Sequence, residues 1–354
     1  MESAIPPHLQ CPRSLERRGG NDYAPPAPGW TTRAQRPGQT LVMALLGVQA
    51  SGDGAERAAC SGLRQIIASL QANDGPVHHD LTHYVDECGY VNMIAIAYWP
   101  DRAAYERWAN QPEIDAWWRA PERLTDGLGW FREIMLPTEE RYETLFSSPD
   151  RLEGGGVAQG HVSGEIVEHG YWGSMRDRLP LSQTDAMPPS GALTIVEGKP
   201  GSGQRVRVQG HANLAMIRSG QDWTDTAGDE RGLYCNDIEP VLRAGMAFLR
   251  DGGTTVGCYA NRYMRHVDAT GKPVEKTFGL SYWHSLADLE RWAESHPTHV
   301  EIFGTFMRVV QALNVQLQLR LYHEVAVLAT DQQRYEYVNC HARTGILNGV
   351  AGSW

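Results

Sequence analysis

The chain reads as an α+β protein built by internal duplication, with an antiparallel sheet covered by helices on one face. Three observations predict this. First, one phrase occurs twice at identical spacing: Tyr98-Trp99 followed by Glu106-Arg107-Trp108-Ala109, and Tyr282-Trp283 followed by Glu290-Arg291-Trp292-Ala293. Second, each phrase sits in the same order of strand, helix, strand and short helix. Third, 354 residues with 42% hydrophobic and 21% charged side chains describe an ordinary soluble globular chain of about two domains.

Residues 1–40 are rich in Pro, Gly and Arg, including a Pro25-Pro26-Ala27-Pro28 run, and suit an extended arm wrapped on a surface. The first repeat, 41–150, opens with the apolar run Leu41-Val42-Met43-Ala44-Leu45-Leu46, a buried strand. A helix over 55–70 and a strand over 91–99 follow, and Asp101 is placed to cap the helix carrying Trp108. The second repeat, 206–354, matches it with a strand over 213–219, a helix over 230–249 and a strand over 277–283. There Ser285 and Asp288 resemble a capping box opening the Trp292 helix.

Between the repeats, the segment 151–205 holds Gly154-Gly155-Gly156. It also holds Glu168-His169-Gly170-Tyr171-Trp172-Gly173-Ser174-Met175-Arg176-Asp177-Arg178, which suits neither helix nor strand. Its glycines allow close backbone approach and its arginines can hold an anion or polar group, although a plain structural loop reads the same way.

A net charge of −10 without a basic run argues against nucleic acid. No stretch approaches the roughly 18 apolar residues of a membrane span, and no apolar secretory signal is visible. Six cysteines with no C-x-x-C spacing favour reduced thiols in the cytoplasm over disulfides or a zinc site.

The repeats diverge two residues past their prolines, Pro112 and Pro297, where Ile114 in the first copy becomes His299 in the second. His299, Ile302, Phe303, Phe306, Val309 and Val310 share one helical face. In the next element Leu317, Leu319, Leu321, His323, Val325 and Val327 alternate with Gln318, Arg320, Tyr322, Glu324 and Ala326, which is the period of a strand. Two histidines thus interrupt consecutive apolar faces. A satisfied core histidine is one reading of either. A pair-only metal site lacks further ligands, whereas a large apolar cofactor such as haem, ligated by one imidazole and faced by the other, suits the surroundings.

Several stretches carry a resemblance: Glu165 through Arg178, Ile217-Arg218-Ser219-Gly220-Gln221-Asp222-Trp223, Glu290 through His299, and Leu319-Arg320-Leu321-Tyr322-His323-Glu324. They resemble signatures of the haem-containing aldoxime dehydratases, and the resemblance extends from Met1 through His341. It implies duplicated ferredoxin-like repeats forming a dimeric α+β barrel, and a homodimer. It implies haem b, ferrous when active, with His299 as axial iron ligand, and His323, Arg178, Ser219 and Glu143 as catalytic residues. The implied reaction is R–CH=N–OH to R–C≡N plus water, on a small-molecule aldoxime. In it His323 protonates the leaving hydroxyl, Ser219 bonds the oxime oxygen, Arg178 orients the oxime and Glu143 holds His323 protonated. The stretch 311–318 departs from the family pattern by a few extra residues. A haem peroxidase and a non-enzymatic haem carrier remain the competing expectations.

Overall fold

The computed structural model describes every residue except 21, 202, 315 and 352–354. In chain order the first part contains β1 (Thr32–Arg33), β2 (Val42–Ala50), α1 (Ala55–Leu70), β3 (His78–Val85), β4 (Val91–Trp99), α2 (Arg102–Ala109), α3 (Pro112–Arg119), β5 (Gly129–Met135) and β6 (Tyr142–Phe146). Next come α4 (Gly155–Gln159), β7 (His161–Val162), α5 (Ser174–Arg178), β8 (Thr194–Glu197) and β9 (Arg205–Gln209). The last part contains β10 (Leu214–Asp222), α6 (Gly228–Leu233), a π-helical turn (Tyr234–Ile238), α7 (Glu239–Gly252), β11 (Cys258–Val267), β12 (Pro273–Trp283), α8 (Leu286–Ser295), α9 (Pro297–Ala312), β13 (Arg320–Leu328), β14 (Gln333–Val338) and α10 (Leu347–Ala351).

The fold is α+β with one large antiparallel sheet in the order β6-β13-β10-β12-β11-β3-β4-β2-β5-β14-β9-β8. Both helix caps form as their side chains dictate: Asp101 accepts from the Ala104 amide at 2.8 Å and Ser285 from the Asp288 amide at 3.1 Å. β3 and β11 are among the strands that the sequence pattern does not show. Neither shows a clean apolar alternation, because each places charged or polar residues (Asp80 and Thr82, Asn261 and Arg262) in the buried interior.

Within each half the four main strands lie in the same relative order, β5-β2-β4-β3 and β13-β10-β12-β11. The halves join through β3 and β11, where Thr82 faces His266. Their fifth strands are exchanged. β6 leaves the first half to pair with β13, and β14 leaves the second to pair with β5.

One face of the sheet packs on itself across the two halves, bringing Leu45, Ile96 and Phe131 together with Met216, Phe278 and Tyr337. The other face is covered by α1–α3 in the first half and by α7 and α8 in the second. The inner face also buries two glutamates at equivalent positions. Glu133 receives both Arg262 Nη atoms at 2.7 and 2.6 Å and the hydroxyls of Tyr282 and Tyr337, each at 2.7 Å. Glu324 receives the hydroxyls of Tyr98 at 2.6 Å and Tyr142 at 2.5 Å, and the Gly155 amide at 3.2 Å.

The sequence pattern placed Tyr322 and Glu324 on the polar side of their strand, but the structure buries both. The reason is that this side faces an interior already supplied with donors for a carboxylate. The Gly154-Gly155-Gly156 run serves the same cluster. Gly154 has φ +56°, and a Cβ there would stand 2.5 Å from Glu324 Oε1. Arg218 completes the network, donating to the Tyr98 hydroxyl and to Asp80 Oδ2 at 2.6 Å each. Burial alone would raise the Asp80 carboxyl; Arg218 overrides it and holds the group well below the ordinary range. The stretch 311–318 contains residue 315, outside the described residues. Its far end is held by Glu230 Oε1, which accepts from the amides of Gln318 and Leu319 at 2.7 and 2.8 Å.

His266 lies 3.6 Å from Asp80, edge-on to Phe278, and burial pulls its imidazole down to about 4. The unfolded chain takes up a proton here near pH 6.5 that the folded chain refuses, so stability falls as pH drops from about 6.5 to 4. The depressed carboxyls of Asp80 and Glu133 act in the next window, where their contribution disappears below about pH 4. Urea midpoints at pH 7, 6, 5 and 4 should therefore decline continuously. His266→Phe should flatten the upper part of that decline. Tyr98→Phe should cost about 1–3 kcal/mol at pH 7, because it takes one donor from buried Glu324.

Candidate active site

Strand register assembles most of the candidate site. Ser219 on β10 pairs with His323 on β13, which pairs with Leu145 on β6. Ile217, Val325 and Glu143 form the neighbouring row on the same face. Glu143 therefore reaches His323 only because β6 crosses into the second half.

Arg178, at the end of α5, lies over this face with its side chain fully buried. Its Nε donates to Glu143 Oε2 at 2.6 Å and its Nη2 to Glu143 Oε1 at 3.2 Å. Nη1 donates to the Glu168 carbonyl at 2.6 Å and to Ser174 Oγ at 3.2 Å. Nη2 also lies 2.6 Å from His323 Nε2, which stands 3.3 Å from Glu143 Oε1. A guanidinium has no acceptor, so in this arrangement Nε2 receives the hydrogen bond and the ring proton sits on Nδ1. Burial would raise the Glu143 carboxyl; Arg178 and His323 together hold it below its ordinary value.

His299 lies in the first turn of α9, outside this hydrogen-bonded group. Its ring packs edge-on against Trp292 at 4.7 Å and Trp172 at 5.6 Å between centroids. Burial pulls it down to about 4, against the opposing pull of the Ala293 backbone, so the imidazole is neutral at physiological pH. The apolar stripe of α9 is buried only toward its C-terminal end, at Val309 and Val310. At the His299 end Val300, Phe303 and Met307 are 36–47% exposed, as is Trp172 at 36%. The two histidines are linked by one segment: residues 168–178 send Trp172 to His299 and Arg178 to His323. The aromatic neighbours Trp172 and Trp292 were not named as site residues from sequence, although both lie in stretches that carried the resemblance. Trp292 also matches a tryptophan, Trp108, that fills the core of the first half.

Comparing the halves shows how the second was opened. The register pair Ser219–His323 corresponds to Leu46–Arg132, and His299 corresponds to Ile114. In the first half Leu46, Ile114, Trp108, Trp117 and Trp118 close on one another around only about 30 Å³ of space. Arg132 lines the same space, lying over the Trp118 ring at 4.8 Å and pairing with Glu336. In the second half, smaller and polar side chains replace this plug, and Ile217, Ser219, Leu321 and His323 stay half-buried.

A neutral imidazole beside exposed aromatics, joined by one segment to a buried Arg178–Glu143 pair and a half-buried histidine, is an arrangement that suits an enzyme working with an apolar cofactor. Comparison with known proteins makes this specific. The haem-containing dehydratase family profile matches residues 44–346. The aliphatic aldoxime dehydratase of Rhodococcus globerulus is 52% identical over 347 residues, 98% of each chain, and the phenylacetaldoxime dehydratase of Bacillus sp. (strain OxB-1) is 30% identical over 92% of each. Two crystal structures are similar throughout. One, of an aldoxime dehydratase, superposes with TM-score 0.94 at 49% identity, covering 99% of both chains. The other, of an aldoxime dehydratase with butyraldoxime, superposes with TM-score 0.94 at 50% identity, covering 99% of this chain and 96% of that one. The chain belongs to the haem-containing aldoxime dehydratase family, enzymes that convert aldoximes to nitriles.

The residues fit a haem. A neutral imidazole can donate a lone pair to iron, and the exposed α9 stripe with Trp172 offers an apolar surface for a macrocycle.

Removing one partner of the Arg178–Glu143 pair leaves the other as an uncompensated buried charge. Glu143→Ala is expected to cost about 3–5 kcal/mol in urea unfolding. The Glu143→Ala/Arg178→Ala double variant should cost less than the sum of the two single changes.

Proposed function

We propose that the enzyme dehydrates aliphatic aldoximes, with haem b held through His299 and the chemistry carried by His323, Arg178, Ser219 and Glu143. Support for the substrate class comes from the aliphatic relatives at about half identity and from the half-buried apolar side chains of Ile217 and Leu145 near His323. The single observation behind the site assignment is the 168–178 segment, which touches His299 and His323 at once.

When bound through His299 and ferrous, the haem would supply Lewis acidity and electron density for N–O cleavage. The protein's part is proton management and orientation. His323 Nδ1 has no hydrogen-bond partner among the described residues, which leaves it for the oxime hydroxyl. Protonated His323 would turn its Nε2–H to Glu143 Oε1, 3.3 Å away, and give the Nδ1 proton to the departing oxygen, releasing water. The vacated Nδ1 would then accept the proton from the oxime carbon. The sum is R–CH=N–OH to R–C≡N plus H₂O, with no net electron. Ser219, opposite His323, would bond the oxime oxygen, while Arg178 would fix Glu143 in place to receive the Nε2–H and would stabilise developing negative charge.

We infer an organisation of arm (1–40), first ferredoxin-like repeat (41–150), linking segment (151–205) and second repeat (206–354). The sheet would close as a dimeric α+β barrel-type haem domain, two chains would form a homodimer, and the enzyme would work in the cytoplasm. The exchanged strands and the shared inner core support the barrel. Among the described residues no helix is long and apolar enough to cross a membrane.

His299→Ala should lose haem, read from the Soret band per chain. His323→Ala should keep haem and lose nitrile formation by roughly 10²-fold or more. Nitrile should form anaerobically from butyraldoxime with dithionite-reduced protein and not with the ferric form. Equal turnover in both states would reject the ferrous assignment, and full haem retention in His299→Ala would reject the ligand.

A further inference from the structure

Two buried carboxylates flank Arg178, and most of their partners come from the N-terminal arm. Glu168, 2% exposed, accepts from Ser3 Oγ at 3.0 Å, the Ala4 amide at 2.8 Å and Arg17 Nη1 at 3.1 Å. Its own carbonyl receives Arg178 Nη1 at 2.6 Å. Asp177, 1% exposed and next to Arg178 in sequence, accepts at Oδ2 from the amides of Arg18 and Gly19, at 2.9 and 3.1 Å, and from the Tyr171 hydroxyl at 2.8 Å.

The arm reaches the segment's backbone as well. The Glu2 amide donates to the Glu165 carbonyl at 2.8 Å, the Val167 amide to the Glu2 carbonyl at 3.0 Å, and the Tyr23 hydroxyl to the His169 carbonyl at 3.0 Å. Gly19 lies so close to Tyr171 that a Cβ would stand 2.5 Å from the ring. The segment itself is short of regular structure: α5 is five residues long and is entered through Gly170 and Gly173, both at positive φ. Left to itself, so short a helix would not hold a long side chain in place. An arginine must stay within tenths of an ångström to keep a 2.6 Å contact with His323.

We propose that the N-terminal arm is the positioning element for Arg178, acting through Glu168 and Asp177, so that residues 2–4, 17–19 and 23 set the geometry of a side chain carried by the segment they grip. This rests on the reading of Arg178 as a catalytic group. Glu168 and Asp177 are positioning residues in this scheme, since their carboxylates meet the arm and the segment's own Tyr171, and Arg178 itself meets only the Glu168 main-chain carbonyl.

The test uses full-length, haem-loaded protein carrying Gly19→Ala, Asp177→Ala, Asp177→Asn or Arg178→Gln. Three quantities are measured: haem per chain, kcat and KM for butyraldoxime, and the C–O stretching frequency of the ferrous carbon monoxide complex. That frequency senses donors facing the bound ligand without turnover. Gly19→Ala adds one methyl in the arm, and Asp177→Asn keeps an acceptor for the Arg18 and Gly19 amides.

The expected result is full haem in all four, with kcat lowered on the order of tenfold to a hundredfold in Gly19→Ala and Asp177→Ala. Their C–O frequency should move in the direction of Arg178→Gln, and Asp177→Asn should recover toward wild type. Wild-type kcat and C–O frequency in Gly19→Ala and Asp177→Ala, while Arg178→Gln changes both, would overturn the proposal. If Asp177→Ala does not fold, Gly19→Ala decides by the same two readouts. If Arg178→Gln leaves kcat unchanged, the catalytic reading of Arg178 fails instead, and the C–O frequency of Gly19→Ala alone decides whether the arm positions it.

Discussion

The candidate site depends on one buried guanidinium. Arg178 is bonded to a carboxylate from one strand, an imidazole from the next, and the carbonyl and hydroxyl of its own segment. A charge with no exposure is stable only when its partners are already in place, so this contact constrains everything that delivers them. β6 must cross to the second half to bring Glu143, β13 must keep its register with β10 to bring His323 beside Ser219, and residues 168–178 must be held down from outside.

That constraint accounts for much of the surrounding architecture. The same strands carry, on their opposite face, the Arg218–Glu324 register pair and its tyrosine partners. A one-residue slip would expel both networks at once, because it exchanges the faces of a strand. The inner charges therefore act as a register lock behind the site. The duplicated half shows the alternative use of the same frame. There the equivalent space is filled with tryptophans, which gives packing where the second half has a half-buried polar floor.

Much of this was legible in the chain. The twice-written phrase announced the duplication. The helix at Ala55–Leu70 and the strand at Val91–Trp99 follow from periodicity, and the divergence from Ile114 to His299 drew attention to the place now lined by Trp172 and Trp292. Other elements were hidden. β3 and β11 escaped because buried ion pairs give a strand no apolar stripe to recognise, and the helix read over 230–249 is α6, a π turn and α7 in succession. Phe303, on the same helical face as buried Val309 and Val310, is 45% exposed, since periodicity says which residues share a face and not what covers that face.

The sequence by itself determined the duplication, most of the order of elements and which faces of consecutive elements carry His299 and His323, because repeats and periodicity are local properties of the chain. Only the tertiary structure decided that Glu324 is buried, that Glu143 lies beside His323, and that an arm of prolines and glycines grips the segment bearing Arg178. Each of these joins residues more than a hundred positions apart. A buried charge is allowed or forbidden by partners arriving from such distances, and no window along the chain contains them.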